Sequence, residues 1–221
     1  MLLSTLIVRV AIPTGAVVVA ARAQDSSFGL FHQVELPAVT AIVLAVVALD
    51  FIIYLQHLIF HHVPFLWSLH RVHHSDRDFD ATTALRFHPV EILISLFVKF
   101  GAVYLLGVPP VSVIFFEVLL NGSAMFNHAN AALPPGLDKW VRLLLVTPDM
   151  HRVHHSTVVA ETNSNYGFSL PWWDRIFGTY RAEPQIGRSD VVIGLSEHQG
   201  ASVGAVDLLL LPITAKAPPT P

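Results

Sequence analysis

The chain has no cysteine. This excludes disulfides, Cys-ligated iron–sulfur clusters and thiolate haem. Charge is also scarce. Asp, Glu, Lys and Arg together make up 13% of the 221 residues, against about 25% in an average soluble domain. A net charge of −3 and a pI of about 6.5 leave no basic footprint, which excludes nucleic acid as a partner. What the chain has in quantity is apolar: 53% of its residues are hydrophobic and the mean hydropathy is +0.57, which points to a bilayer as solvent. It also has 13 histidines, most of them clustered.

The length suggests one domain, residues 1–221, with a core at 37–181 between an N-terminal helix and loop (1–36) and a C-terminal tail (182–221). Residues 2–21 are apolar apart from Arg9. They suit a signal peptide, with Ala21-Arg22-Ala23 as cleavage site, or a retained membrane helix. The lack of a positive n-region favours the helix, with a kink expected at Pro13 and Gly15. Residues 37–60 are long enough to span a bilayer and carry Asp50 within it. Two further apolar stretches, 91–107 and 110–127, are broken by Gly107-Val108-Pro109-Pro110 and predict a helical hairpin, either spanning or re-entrant. The apolar piece at 206–212 is too short to span and is expected to lie on the surface.

The expected fold is all-α and polytopic, with about four transmembrane or re-entrant helices under a helical cap. By parity, every histidine cluster emerges on one side. That side also holds Arg71, Arg77, Arg86, Lys139, Arg142, Arg152, Arg175, Arg181 and Arg188, whereas the loop between the first two spans holds Arg22 alone. The positive-inside rule places the clusters in the cytoplasm, which for a bacterial protein means the inner membrane.

Three histidine boxes stand out: His57-x-x-x-His61, His70-Arg-Val-His73-His74 and His151-Arg-Val-His154-His155. On a helix, residues three or four apart share a face, with Cβ atoms about 5–6 Å apart. Such imidazoles can reach one metal or two adjacent ones. Eight histidines exceed the four ligands of a structural zinc site, which argues for two metals. The Glu-x-x-His of carboxylate-bridged di-iron bundles is missing, so a dimetal centre here would be histidine-rich. Asp50, Tyr54, His57 and His61 share one helix face, so Asp50 and Tyr54 are candidate supports, with Asp50 accepting an imidazole N–H or making a helix–helix contact. Asp149 precedes the third box as a helix cap or a further support. Trp67, Trp172 and Trp173 read first as interface anchors, with pocket walls as the alternative.

The ordered set resembles the fatty acid hydroxylase / sterol desaturase superfamily, in particular bacterial sterol desaturase family proteins. Its carriers are Asp50…Tyr54…His57…His61, the two His-Arg-Val-His-His-Ser boxes, Ala84-Leu85-Arg86-Phe87-His88-Pro89-Val90-Glu91, Phe126-Asn127-His128, and Asn163-Ser164-Asn165-Tyr166-Gly167 with Trp173-Asp174. The resemblance implies a membrane-bound non-haem di-iron oxygenase that hydroxylates or desaturates a lipid C–H bond with O2. It implies two iron ions, with zinc possible as isolated, held by His57, His61, His70, His73, His74, His151, His154 and His155. Relatives often carry a His-x-x-x-His before the last box. Here that pair is Ala124 and His128, so His128 is a further candidate ligand. His88 could supply another imidazole, or make a helix-start contact before Pro89.

No cytochrome-like domain is expected within the chain, so electrons would come from an external ferredoxin- or cytochrome-type donor. Arg71, Arg86 and Arg152 could hold an anionic headgroup or form surface salt bridges. Two rivals come from other classes. A membrane zinc hydrolase would need a base beside a ligand, and the His-Glu-x-x-His motif is missing. A metal-binding transport protein would place its site near the bilayer midplane, whereas these boxes sit in loops. Hydroxylation of a fatty chain or ether lipid is the first expectation, and sterol oxidation the second.

Overall fold

The computed structural model describes residues 2–187, 190–199 and 204–214, with side chains from residue 14 onward. Arg188 lies outside the described residues. Among them the chain is helical, with one isolated β-bridge between Ser156 and Ile193 and no strand. The long helices are α1 (Leu2–Asp25), α2 (Ala38–His62), α4 (Pro89–Leu106) and α5 (Pro110–Asn127). Between α2 and α4 lies α3 (Pro64–His74), and beyond α5 come α6 (Pro135–Val141), α7 (Pro148–His154), α8 (Val159–Thr162), α9 (Trp172–Phe177) and α10 (Ala205–Thr214).

Helices α2, α4 and α5 are each long and apolar enough to cross a membrane. Their outer faces keep large apolar side chains exposed, among them Val39, Phe97 and Val118. Their inner faces meet α1 in a core of Ala16, Ala20, Ala45, Leu49, Val103 and Phe116. The alanines let the helices approach closely where no water drives them together. Gly15 serves the same end, because a Cβ there would stand 2.6 Å from Cζ of Phe100. The helix α1 runs unbroken through Pro13 and Gly15.

The α4–α5 connection is built by Gly107. It closes α4 at φ 66°, and Val108 N–H then returns to the Val103 carbonyl at 3.1 Å. Pro110 starts α5 at once. The turn packs on the α1–α2 connection, where Gly29 lies at φ 109° against the Gly107 backbone and the Phe28 ring stacks on Tyr104 at 4.6 Å. The hairpin tip therefore reaches the face opposite the histidines. Both of its helices are long and apolar enough to cross a membrane.

The short apolar piece at the C-terminus forms α10, which docks on α3. Leu208 and Leu211 are buried with Val72 and Leu195, and Trp67 packs beside them. Trp67 also lies 4.8 Å from the His61 ring, so it is a pocket wall, and Trp173 donates to Asp50 from a half-buried position. Of the three tryptophans, Trp172 keeps an exposed place. The arginines considered for a headgroup are engaged: Arg71 with Glu197, Arg86 with Asp76, and Arg152 over the Phe79 ring.

The Gly29–Gly107 contact has a direct test. Gly29→Ala should lower the midpoint of thermal unfolding in detergent, because it forces a Cβ into both a left-handed backbone and the Gly107 main chain, at a cost of at least ~1 kcal/mol. Gly101→Ala, with open space around its Cβ, should leave the midpoint unchanged or raise it.

Candidate metal centre

The inner end of α2 brings His57 and His61 one turn apart. Helix α3 brings His70, His73 and His74, the C-cap of α5 brings His128, and α7 with its C-cap brings His151, His154 and His155. All nine are buried, none more than 7% exposed. They form two groups able to hold a metal. His57, His61, His70, His74 and His154 make one, and His73, His128, His151 and His155 the other, with ligand atoms within 4.8 Å of one another in each group. The groups adjoin: the His74 ring stacks on His155 at 4.3 Å.

The repeated boxes do not build one group each. Box two sends its i, i+4 pair (His70, His74) to the first group and its i+3 member (His73) to the second. Box three does the reverse, with His151 and His155 in the second group and His154 in the first. The same six-residue pattern on two helices that face each other gives this crosswise exchange. The i, i+4 pair of α2 has its counterpart at the end of α5, where Ala124 stands one turn before His128 and leaves the second group one imidazole smaller.

The outer ring nitrogens settle the tautomers. Nδ1 of His57 donates to the Tyr166 carbonyl at 2.8 Å, Nδ1 of His154 to the Ser164 carbonyl at 2.7 Å, and Nδ1 of His128 to the Ala124 carbonyl at 2.8 Å. A carbonyl can only accept, so in the neutral ring the inward Nε2 carries a lone pair. Nδ1 of His70 donates to Oε1 of Glu91 at 2.6 Å, and Nδ1 of His61 to the Asn163 side chain at 3.4 Å. The Nε2 atoms of His57 and His154 then face each other at 3.1 Å, and so do those of His57 and His70. Two lone pairs at that distance repel. Two nitrogens each about 2.1 Å from one metal, at right angles, are about 3 Å apart. The donor set and its spacing therefore fit a bound cation.

Burial, aided by the neighbouring imidazoles, disfavours the charged form of His73, His74, His151, His154 and His155. It pushes His154 down to about 3 and holds His73, His74, His151 and His155 well below the usual histidine value. Neutral imidazole is the form that binds metal.

The carbonyls that aim these rings sit in a rigid loop. Asp174 accepts from Tyr166 N–H at 2.8 Å, Gly167 N–H at 2.7 Å and the Thr179 hydroxyl at 2.6 Å. Asn165, at φ 52°, spans the Met150 and Arg181 carbonyls with its amide. Asp50 accepts from Trp173 Nε1 at 2.9 Å and Leu170 N–H at 3.4 Å, so it ties the loop to α2 and accepts from no histidine. The Tyr54 hydroxyl pairs with Thr179 at 3.1 Å and steadies the same loop. Asp149 lies half-buried in the first turn of α7. His88 stands apart from both groups: its Nδ1 accepts from Val90 N–H at 3.2 Å as the N-cap of α4.

Sequence reasoning missed Glu91, Asn163 and the Ala124, Ser164 and Tyr166 carbonyls as partners of the rings. Their available signal was their place in the stretches that carry the family resemblance. A cavity of about 170 Å³ opens from His57, His70 and His73 and runs between α2, α4 and α5, with Ile53, Leu96, Leu120 and Phe168 among its walls. Glu91→Gln should weaken metal retention against a chelator by about 10–100-fold, because His70 loses its charged partner. His88→Ala should leave metal content unchanged.

The sequence profile of the family described as Fatty acid hydroxylase matches residues 42–179. Ornithine lipid hydroxylase OlsE of Rhizobium tropici is 32% identical over 164 residues, which cover 74% of this chain and 48% of that protein. Human alkylglycerol monooxygenase is 35% identical over 153 residues, 69% of this chain and 32% of its own. The C-4 methylsterol oxidase of Schizosaccharomyces pombe is 26% identical over 163 residues, 70% of this chain and 53% of its own. The chain thus spans about a third to a half of these relatives. No solved structure matches. With its histidine boxes inside the matched segment and its helices built for a bilayer, this membrane protein belongs to the fatty acid hydroxylase family.

Proposed function

We propose that the chain is a di-iron oxygenase that hydroxylates an aliphatic C–H bond of a lipid. The observation that supports this most directly is the pair of buried imidazole groups at the head of a cavity between the long apolar helices. The relatives are named a hydroxylase of ornithine lipid, a monooxygenase of alkylglycerol and an oxidase of C-4 methylsterol, which favours oxidation of a lipid here.

His57, His61, His70, His74 and His154 would hold one iron, and His73, His128, His151 and His155 the other. When bound, the two irons supply the activation of O2 that an unactivated C–H bond requires. The reaction is balanced as RH + O2 + two electrons + two protons giving ROH + H2O. An external ferredoxin- or cytochrome-type donor supplies the electrons. The chain's own residues do the rest. The Tyr166 and Ser164 carbonyls and Glu91 hold the rings in one tautomer, so the donor set needs no rearrangement. The walls of the cavity exclude water and align the chain, each methylene adding about 0.8 kcal/mol of apolar binding. The positive-inside bias supports a cytoplasmic side for the centre and, for a bacterial chain, the inner membrane.

The test is isotopic. Iron-loaded protein in its own membrane lipids, given a chemical reductant and ¹⁸O2, should yield a lipid heavier by one ¹⁸O atom. His154→Ala should lower that yield roughly a hundredfold or more. Zinc-loaded protein should give none. Product that forms without O2, or that takes its oxygen from water, would overturn the oxygenase reading in favour of a hydrolase.

A further inference from the structure

The cavity below the metal centre carries polar groups that a plain hydrocarbon chain does not need. Lys99 on α4 and Glu117 on α5 form an ion pair at 2.5 Å, with 8% and 6% of their surfaces exposed. Both line the cavity that His57, His70 and His73 open onto. The Asn121 amide donates to the Glu117 carboxylate at 3.3 Å and fixes its second oxygen. Along α4, Glu91, Ser95 and Lys99 follow at intervals of four on one face, so Lys99 lies about 12 Å along the helix from the carboxylate that aims His70. Opposite them on α2, Gln56 donates to Ser95 at 2.7 Å, while its own Oε1 is buried without a partner.

Charges at hydrocarbon depth are costly, and a buried pair is often no more stabilising than well-packed apolar residues. Stability of the hairpin alone therefore does not account for this pair. An ammonium has three N–H donors, and the Glu117 contact uses one. The pair is neutral as a whole, so it suits an uncharged guest better than a carboxylate or an ammonium. A hydroxyl matches both members, since its oxygen accepts from Lys99 while its proton goes to Glu117.

We propose that Lys99 and Glu117 are a specificity-determining subsite for an uncharged hydroxyl group of the substrate, set back along the cavity from the carbon that is oxidised. This deepens the lipid-oxygenase reading and rests on it. The substrate class becomes a hydroxyl-bearing lipid, and the distance from the ion pair to the histidines selects the carbon. Gln56 Oε1 offers a second acceptor part-way along.

Photolabelling tests this without turnover, so its outcome is separate from that of the ¹⁸O experiment. Protein carrying its metals, in nanodiscs, is exposed to two probes: a sixteen-carbon chain with a mid-chain diazirine ending in a hydroxyl, and the same chain ending in a methyl. Labelling of the cavity residues Leu96 and Leu120 is mapped by mass spectrometry. The hydroxyl probe should label them about tenfold more than the methyl probe, as a hydrogen bond to a charged group provides. In a Lys99→Met/Glu117→Leu double variant with unchanged metal content, the ratio should fall to about one. A ratio near one in the wild type overturns the proposal, and so does an unchanged ratio in the double variant. If the double variant does not fold, the wild-type ratio decides alone.

Discussion

The inward-facing lone pairs of the histidine nitrogens are the constraint on which the rest of the molecule depends. Nine imidazoles are buried together, five of them have Nδ1 tied to an outer partner so that Nε2 faces inward, and the facing nitrogens stand about as far apart as ligands of a common cation. Left without one, the Nε2 atom of His57 confronts those of His70 and His154, each at 3.1 Å. Much of the cap serves to maintain that arrangement. The loop at 163–170 presents two carbonyls and an amide, and Asp174, Asn165 and Asp50 hold it against its own backbone and against α2. The costs of burying these polar groups are met within the loop by hydrogen bonds, and at the centre by the metal it fits.

The membrane helices set where the centre lies. Histidines at the inner ends of α2 and α5 place it at the head of the bundle, and α3 folds back at once because Pro64 begins a new helix after Val63. The tight Gly29–Gly107 contact on the far side fixes the depth of the hairpin relative to α2. That contact in turn fixes where Lys99 and Glu117 lie along the cavity. Histidines at one end and an ion pair further along give the cavity two ends with different chemistry.

Much of this was legible in the sequence, and for identifiable reasons. The i, i+4 spacing of His57 and His61, and the i, i+3, i+4 spacing of the two repeated boxes, are local properties of one helix each. The Gly107-Val108-Pro109-Pro110 break is local as well. The division of each box between the two groups was not legible, because it depends on how α3 and α7 face each other. Glu91 lies 21 residues from His70 with no helical relation to it, and the carbonyls of Ser164 and Tyr166 leave no trace in residue type. From its place on the α2 face, Asp50 can be expected to accept from an imidazole or to make a helix–helix contact. It acts one step further out, through Trp173 and Leu170. His88 is taken up by two contacts away from the centre: its Nδ1 accepts from Val90 N–H as the N-cap of α4, and its Nε2 donates to the Leu209 carbonyl at 3.3 Å.

The most direct measurement is the metal content and Mössbauer spectrum of protein purified from cells grown on ⁵⁷Fe. A paired centre predicts about two irons per chain, both in nitrogen-rich surroundings, with a reduced form that O2 re-oxidises as a unit. A single iron per chain, or one tightly held zinc with no iron taken up under the same conditions, would contradict it.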